Sequence, residues 1–443
     1  MKPLKKMACA VVSAALALSM SGCVMTVDQM YVPPRRSESY RNLQAVMDKS
    51  MTGLEYCAPI TGENQQTVQM ADLNGDGLKE VVVFVKGSDE NPLKILIFKL
   101  EDGEYVPMSV LEATGTAYDQ VEYVQMDGQP GLELVVGRQV SDRVMRNLTV
   151  YRFPGSQPEQ LLTVNYQKFL TLDMDGDGLS DLFALRPGRT DTDFGVVELY
   201  SAKDGEVTRS AEVRMSQTVD QLKRIMTGSL HSGEQAVFVA SSVDDESIVT
   251  DVYAMVGGKL TNVSMSNESG TSVKTVRNYY VYAEDIDNDG VLELPSLISM
   301  RWPTEGRSVE EREHLIRWYA LGADGSEHDK RFTYHNYLQG WYMEVDESLA
   351  GRLCVVPEDT GRFAFCLWDR EFRNLDKLWT VYVLTGEDRS SIAAEGGRFQ
   401  LLKTDSVVYA CLLEEDGRKL GFTEEYLTNS FFLIQSDWKT GEM

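Results

Sequence analysis

Apolar and polar residues alternate in short runs through most of the chain. Between residues 66 and 100 the runs "QTVQM", "EVVVFVK" and "LKILIFKL" are each bounded by Gly, Asp or Asn. That pattern predicts β-strands with turns between them. The order strand, loop, strand, hairpin then returns. "QTVQMADLNGDGLKEVVVFVKG" is followed by a hairpin with Asp-Gly at 102–103. "YQKFLTLDMDGDGLSDLFALRPG" is followed by one with Asp-Gly at 204–205, and "NYYVYAEDIDNDGVLELPSLIS" by one with Asp-Gly at 324–325. Two weaker copies lie between. "VEYVQMDGQPGLELVVG" keeps Asp127 and Glu133, and "RIMTGSLHSGEQAVFVAS" keeps only the apolar strand.

One unit of about four strands therefore recurs five times, at roughly 50–60 residues. A single such sheet cannot cover both of its faces, whereas a radial array can. The expected fold is mainly β, a β-propeller of about five four-stranded repeats over 52–332. Beyond 332 the Asp loops stop. "TGEDRSSIAAEGG" (385–397) and "TEEYLTNSF" (423–431) open at Thr with acids in the first turn, which predicts short helices. Residues 333–443 are expected to form a smaller α+β domain. The alternative is two degenerate blades closing a seven-bladed ring, a reading supported by a hairpin at "CLLEEDGRKLGF".

The N-terminus has a different character. Lys2, Lys5 and Lys6 precede the apolar stretch "MACAVVSAALALSM", which is too short to span a bilayer comfortably. It runs into "MSGC", and this resembles a bacterial lipobox. The resemblance implies that residues 1–22 are a signal peptide and that Cys23 is lipidated. Residues 23–51 read as a tether followed by a short helix in which Leu43, Val46 and Met47 share a face. The expected location is extracytoplasmic, lipid-anchored to the bacterial cell membrane.

The formal charge is −25, with acids spread along the chain. Nucleic acid is an unsuitable partner, since phosphate binding needs clustered Lys and Arg. The acids matter most in the three strong loops, "DLNGDGLKE", "DMDGDGLSD" and "DIDNDGVLE". Side chains at positions one, three and five can curl toward one point. Glycine at six permits the sharp turn, position seven offers a carbonyl, and position nine returns a carboxylate. The candidate calcium ligands are Asp72, Asn74, Asp76, Leu78 and Glu80. The second set is Asp173, Asp175, Asp177, Leu179 and Asp181. The third is Asp285, Asp287, Asp289, Val291 and Glu293. An EF-hand needs a bidentate Glu at position twelve, where these loops have Val83, Ala184 and Ser296. The alternative is an ordinary solvated turn.

These loops resemble the calcium loops of integrin-alpha-type FG-GAP and VCBS propeller repeats. That resemblance covers 52–332 and implies Ca²⁺ between the first two strands of a blade. It also implies a binding or scaffold role toward an envelope protein or polysaccharide. A calcium-dependent polysaccharide lyase or glycoside hydrolase is the alternative. The chain shows no HExxH, GxSxG, P-loop or dinucleotide fingerprint. Trp302, Trp318, Trp341 and Tyr342 suit either a ligand platform or core. Cys354 and Cys366 flank "VVPEDTGRFAF" and would face each other across a hairpin, either as a disulfide or as two buried thiols.

Overall fold

The computed structural model describes residues 38–140, 146–190, 193–245, 247–277, 281–303 and 314–435. The signal peptide, Cys23 and the tether up to residue 37 lie outside the described residues. Helix α1 (Glu38–Ser50) follows, as its apolar spacing predicts. Six open antiparallel sheets then succeed one another along the chain.

The first sheet is built on Glu80–Lys86, Leu93–Glu101 and Glu104–Ala113, with Glu55–Tyr56 and Val68–Ala71 both pairing to Glu80–Lys86. The second contains Ala117–Val124, Glu133–Gln139, Arg146–Arg152 and Glu159–Tyr166. In the third are Lys168–Leu172, Asp181–Arg186, Val196–Lys203 and Glu206–Arg214. Leu222–Ser229, Gln235–Ser242, Ile248–Val256 and Lys259–Asn262 make the fourth. The fifth runs Glu293–Ser299, His314–Leu321, Glu327–Asn336, Trp341–Val345 and then Phe431–Leu433 from the C-terminal end. The sixth orders Leu353–Asp359, Arg362–Trp368, Leu375–Leu384, Val408–Leu413 and Phe399–Lys403.

The central strands are nearly continuous apolar runs because both their faces are covered. Val82, Phe84 and Ile95 of the first sheet pack on Val121, Leu134 and Val136 of the second. Val135 and Val150 on the opposite face of the second sheet meet Leu182 and Ala184 of the third. Phe183 and Leu199 continue to Val237 and Tyr253 of the fourth, and Phe238 and Val252 to Leu294 and Tyr319 of the fifth. The first sheet's other face, carrying Val81, Val83 and Phe98, is covered by Met47, Leu43 and Val46 of α1.

The fifth sheet breaks the simple succession. Its later strands pack Tyr334, Trp341 and Met343 against Phe365, Trp379 and Val381 of the sixth sheet. Ile316, Trp318 and Tyr342 form a separate cluster with Val281 and Ile286. Trp318, Trp341 and Tyr342 are therefore core side chains split between two clusters, which excludes the aromatic platform. The boundary expected at 332/333 falls inside Glu327–Asn336, so residues on both sides of it share one sheet.

Local signals hold at several turns. Asp102-Gly103 and Asp204-Gly205 both have positive φ (54° and 84°, 55° and 82°), the two-residue turn that matches strand twist. Helix α2 (Arg389–Ala393) and a later helix (Glu424–Asn429) lie where the Thr-led segments predict them. Thr423 caps the later one by accepting from Tyr426 N–H at 3.1 Å. The expected "CLLEEDGRKLGF" hairpin is instead a helical turn, Glu415–Lys419. Its Gly417 packs so close to the Leu378 carbonyl that a Cβ there would lie 2.4 Å from that oxygen. Cys354 and Cys366 are register partners on adjacent strands. They are not joined as a disulfide, and Cys366 Sγ lies 3.7 Å from the Ala364 carbonyl oxygen.

Candidate metal centres

The 72–80 and 173–181 loops join the first strand of a sheet to the second, the 285–293 loop runs from an isolated bridge at Glu284 into Glu293–Ser299, and the backbone itself shapes all three. Position one is an acid that accepts two N–H groups across the turn. Asp72 takes Gly75 N–H at 2.8 Å and Gly77 N–H at 3.0 Å. Asp173 takes Gly176 and Gly178 at 2.7 and 2.9 Å. Asp285 takes Asp289 and Gly290, both at 2.9 Å. Position five accepts from position seven: Asp76 from Leu78 and Asp177 from Leu179 at 2.8 Å, and Asp289 from Val291 at 2.9 Å. Gly77, Gly178 and Gly290 at position six sit at φ 85°, 87° and 85°, which explains the glycine.

Position nine is the buried member. Glu80, Glu133, Asp181 and Glu293 are each at most 5% exposed. Each accepts the N–H of position two, which is an apolar residue buried in the core: Leu73 (2.8 Å), Met126 (2.6 Å), Met174 (3.0 Å) and Ile286 (3.1 Å). Burial raises all four carboxyl pKa values, Glu133 and Glu293 to about 7, against the lowering effect of that hydrogen bond.

The loops also join neighbouring sheets. The N–H at position eight donates to the position-one carbonyl of the preceding sheet: Leu132 to Asp72 (2.9 Å), Ser180 to Gln125 (2.7 Å) and Leu292 to Ser229 (3.2 Å). Contact is backbone to backbone at the first of these, where a Cβ on Gly131 would lie 2.3 Å from the Leu73 oxygen.

Three side chains from each of two predicted ligand sets converge, while Asp177 and Glu293 stand outside those trios. Asp173, Asp175 and Asp181 each offer an oxygen within 4.8 Å of the others, as do Asp285, Asp287 and Asp289. Both sets are purely carboxylate, the donor chemistry of a hard cation. The first loop does not converge in this way among the described residues. Its Asn74 amide donates to Asp76 and to Glu80 at 3.1 Å each, filling the centre that the other loops leave to carboxylates.

Three side chains at these corners escaped the sequence pattern. In the second sheet Arg152 binds Asp127 at 2.7 Å and Glu159 at 2.6 Å. In the fifth sheet Lys330 Nζ bonds Asp289 and lies 3.9 Å from both Asp287 and Glu293. Lys330 holds Asp289 below the usual carboxylate range. Arg331 lies 3.9 Å from Asp287 while bonded to Glu344 at 2.7 Å. Among the described residues no such cation reaches the 173–181 loop. There the Ser201 and Ser210 hydroxyls lie 3.1 Å apart, and the Ser201 hydroxyl favours the charged form of Asp181 against burial.

No protein-family model and no curated protein matches the chain. Among solved structures it is similar to a rhamnogalacturonan lyase of Bacillus licheniformis, with 10% identity and a TM-score of 0.30. The match covers 73% of this chain and 80% of that chain. Likeness at this level carries no argument about fold or activity.

The raised position-nine acids make stability pH-dependent in a defined direction. An acid whose folded pKa is raised stabilises the fold below its unfolded pKa and loses that contribution as pH climbs through the folded value. For Glu133 the window runs from 4.5 to about 7. Glu133→Gln keeps an acceptor for Met126 N–H and cannot ionise. It is expected to lessen the decline in melting midpoint across that window and to be more stable than wild type at pH 8, by on the order of 2–3 kcal/mol. Identical pH profiles for the two proteins would show that Glu133 ionises in place without cost.

Proposed function

We propose that the chain is a cell-envelope lipoprotein whose first five sheets are blade-like repeats of a calcium-stabilised propeller, acting as a binding or scaffold module. The observation that carries this reading is the repeated corner loop: four buried position-nine carboxylates, each bound to its own position-two N–H. Among the converging sets, 173–181 has no internal cation within ion-pair distance among the described residues, so a divalent ion is its natural counter-charge. Calcium suits the flexible all-oxygen set better than magnesium, which demands octahedral geometry and retains water. The N-terminal lipobox pattern supplies the anchor. No helix among the described residues is long and apolar enough to cross a membrane.

A binding role is favoured over lyase or hydrolase chemistry by the surroundings of three histidines and of an open cleft. His231 and His328 stack on each other with centroids 3.8 Å apart. His335 is buried, and burial pushes its pKa down to about 3. A cleft of about 600 Å³ on the third sheet is lined by Arg186, Arg189, Phe194, Glu212 and Arg214 and holds no histidine. Arg186 is already paired with Glu198 at 2.8 Å and Glu212 at 3.2 Å, and Arg214 lies 4.2 Å over the Phe194 ring. The partner class that fits this reading is an envelope protein or polysaccharide.

Two measurements test it. Excess calcium should raise the melting midpoint over chelator in wild type but not in Asp173→Ala/Asp177→Ala. A site of Kd about 10⁻⁴ M at about 1 mM calcium adds roughly 1.4 kcal/mol, a shift of about 2 °C. Equal midpoints in wild type would make the loops ordinary turns. Separately, lipid-precursor labelling should require Cys23, and a lipidated, membrane-bound Cys23→Ser protein would remove the anchor from the account.

A further inference from the structure

The second, third and fifth sheets share one strand register after the corner loop. The residue after position nine pairs with an aromatic on the next strand: Leu134 with Tyr151, Leu182 with Tyr200, Leu294 with Tyr319. Opposite that aromatic the following strand carries a β-bulge, so one residue is left without a register partner. In the third sheet this residue is Ser210, between Ala211 and Arg209. In the fifth it is Lys330, between Arg331 and Asp329.

In the fifth sheet the bulge residue stands beside its own corner loop. Lys330 uses the position to place its ammonium among Asp287, Asp289 and Glu293. Glu293 is fully buried, and its Oε1 has no hydrogen-bond partner. That oxygen is 3.9 Å from the ammonium, aimed at the centre of the loop. A second route to the same end is the position after the aromatic, where the second sheet has Arg152 on Asp127. In the third sheet both cation-delivering positions are serines, Ser201 and Ser210.

We infer that Lys330 is a built-in counter-ion that occupies the cation position of the 285–293 loop, so the native chain takes one calcium ion, at 173–181, and removing Lys330 opens a second site. This rests on the reading that these loops take calcium. A retained ammonium repels an entering divalent ion and also holds the Asp289 oxygen that ion would need. The bulge makes the arrangement transferable, since a lysine at 210 would stand to 173–181 as Lys330 stands to 285–293.

Calcium chloride titration of the full-length protein by calorimetry, with native mass spectrometry for the count, tests this. Wild type should bind one ion, Lys330→Met two, and Ser210→Lys none. Asp173→Asn/Asp177→Asn should also bind none. Ser210→Lys leaves the fifth sheet untouched, so it decides the matter even where Lys330→Met folds poorly. A wild type that binds two ions, one of them lost in Asp285→Asn/Asp289→Asn, would overturn the counter-ion while leaving calcium binding intact. A Lys330→Met protein that folds and still binds one ion would do the same. No binding by any of these chains would overturn calcium binding itself.

Discussion

A buried carboxylate bonded to a backbone N–H seven residues earlier is the interaction on which the repeats depend. It closes the corner that leads into the strand beginning at position nine and holds position two so that its side chain enters the core. It also turns position eight toward the neighbouring sheet, where three such N–H groups meet a carbonyl of the preceding corner. Register within a sheet and contact between sheets thus share one anchor. The anchor carries a cost, because each acid is removed from water and its charged form is disfavoured.

The repeats differ chiefly in how they offset that charge. The first uses an amide, Asn74, and the second a guanidinium, Arg152. The fifth uses an ammonium, Lys330, and the third has the Ser201 hydroxyl beside Asp181. The fourth has no buried carboxylate at the corner, and its "SLHSGEQ" turn bonds Leu230 N–H to the Glu234 carbonyl instead. One backbone device thus recurs with different electrostatics, and among the described residues the converging acids of the third sheet's corner are the set without an ion-paired Lys or Arg.

Much of this was legible in the chain. The period of the Asp loops, the Asp-Gly turns and the alternation of Val, Ile and Leu located the first five sheets. The spacing of Leu43, Val46 and Met47 located α1. Thr423 marked a helix start. Other features depend on contacts that no local pattern encodes. Lys330 lies 41 residues beyond Asp289 and reaches it only through two strand pairings and a bulge. In sequence it is one charged residue in "EHDKRF". Nor could the aromatic residues around 318–342 be sorted between surface and core before the fifth sheet was seen to pack on both the fourth and the sixth. At "EEDGRK" the Asp-Gly pair suggested a turn, but close packing of Gly417 on Leu378 makes it part of a helix.

These corners share a backbone device and differ in the group that offsets its charge. Anomalous diffraction from crystals grown with terbium, an all-oxygen-seeking stand-in for calcium, tests it most directly. The account predicts one strong peak enclosed by Asp173, Asp175, Asp177 and Asp181, with the Lys330 ammonium in density among Asp287, Asp289 and Glu293. A peak in the 285–293 loop with Lys330 turned out to solvent, or none at 173–181, would contradict it.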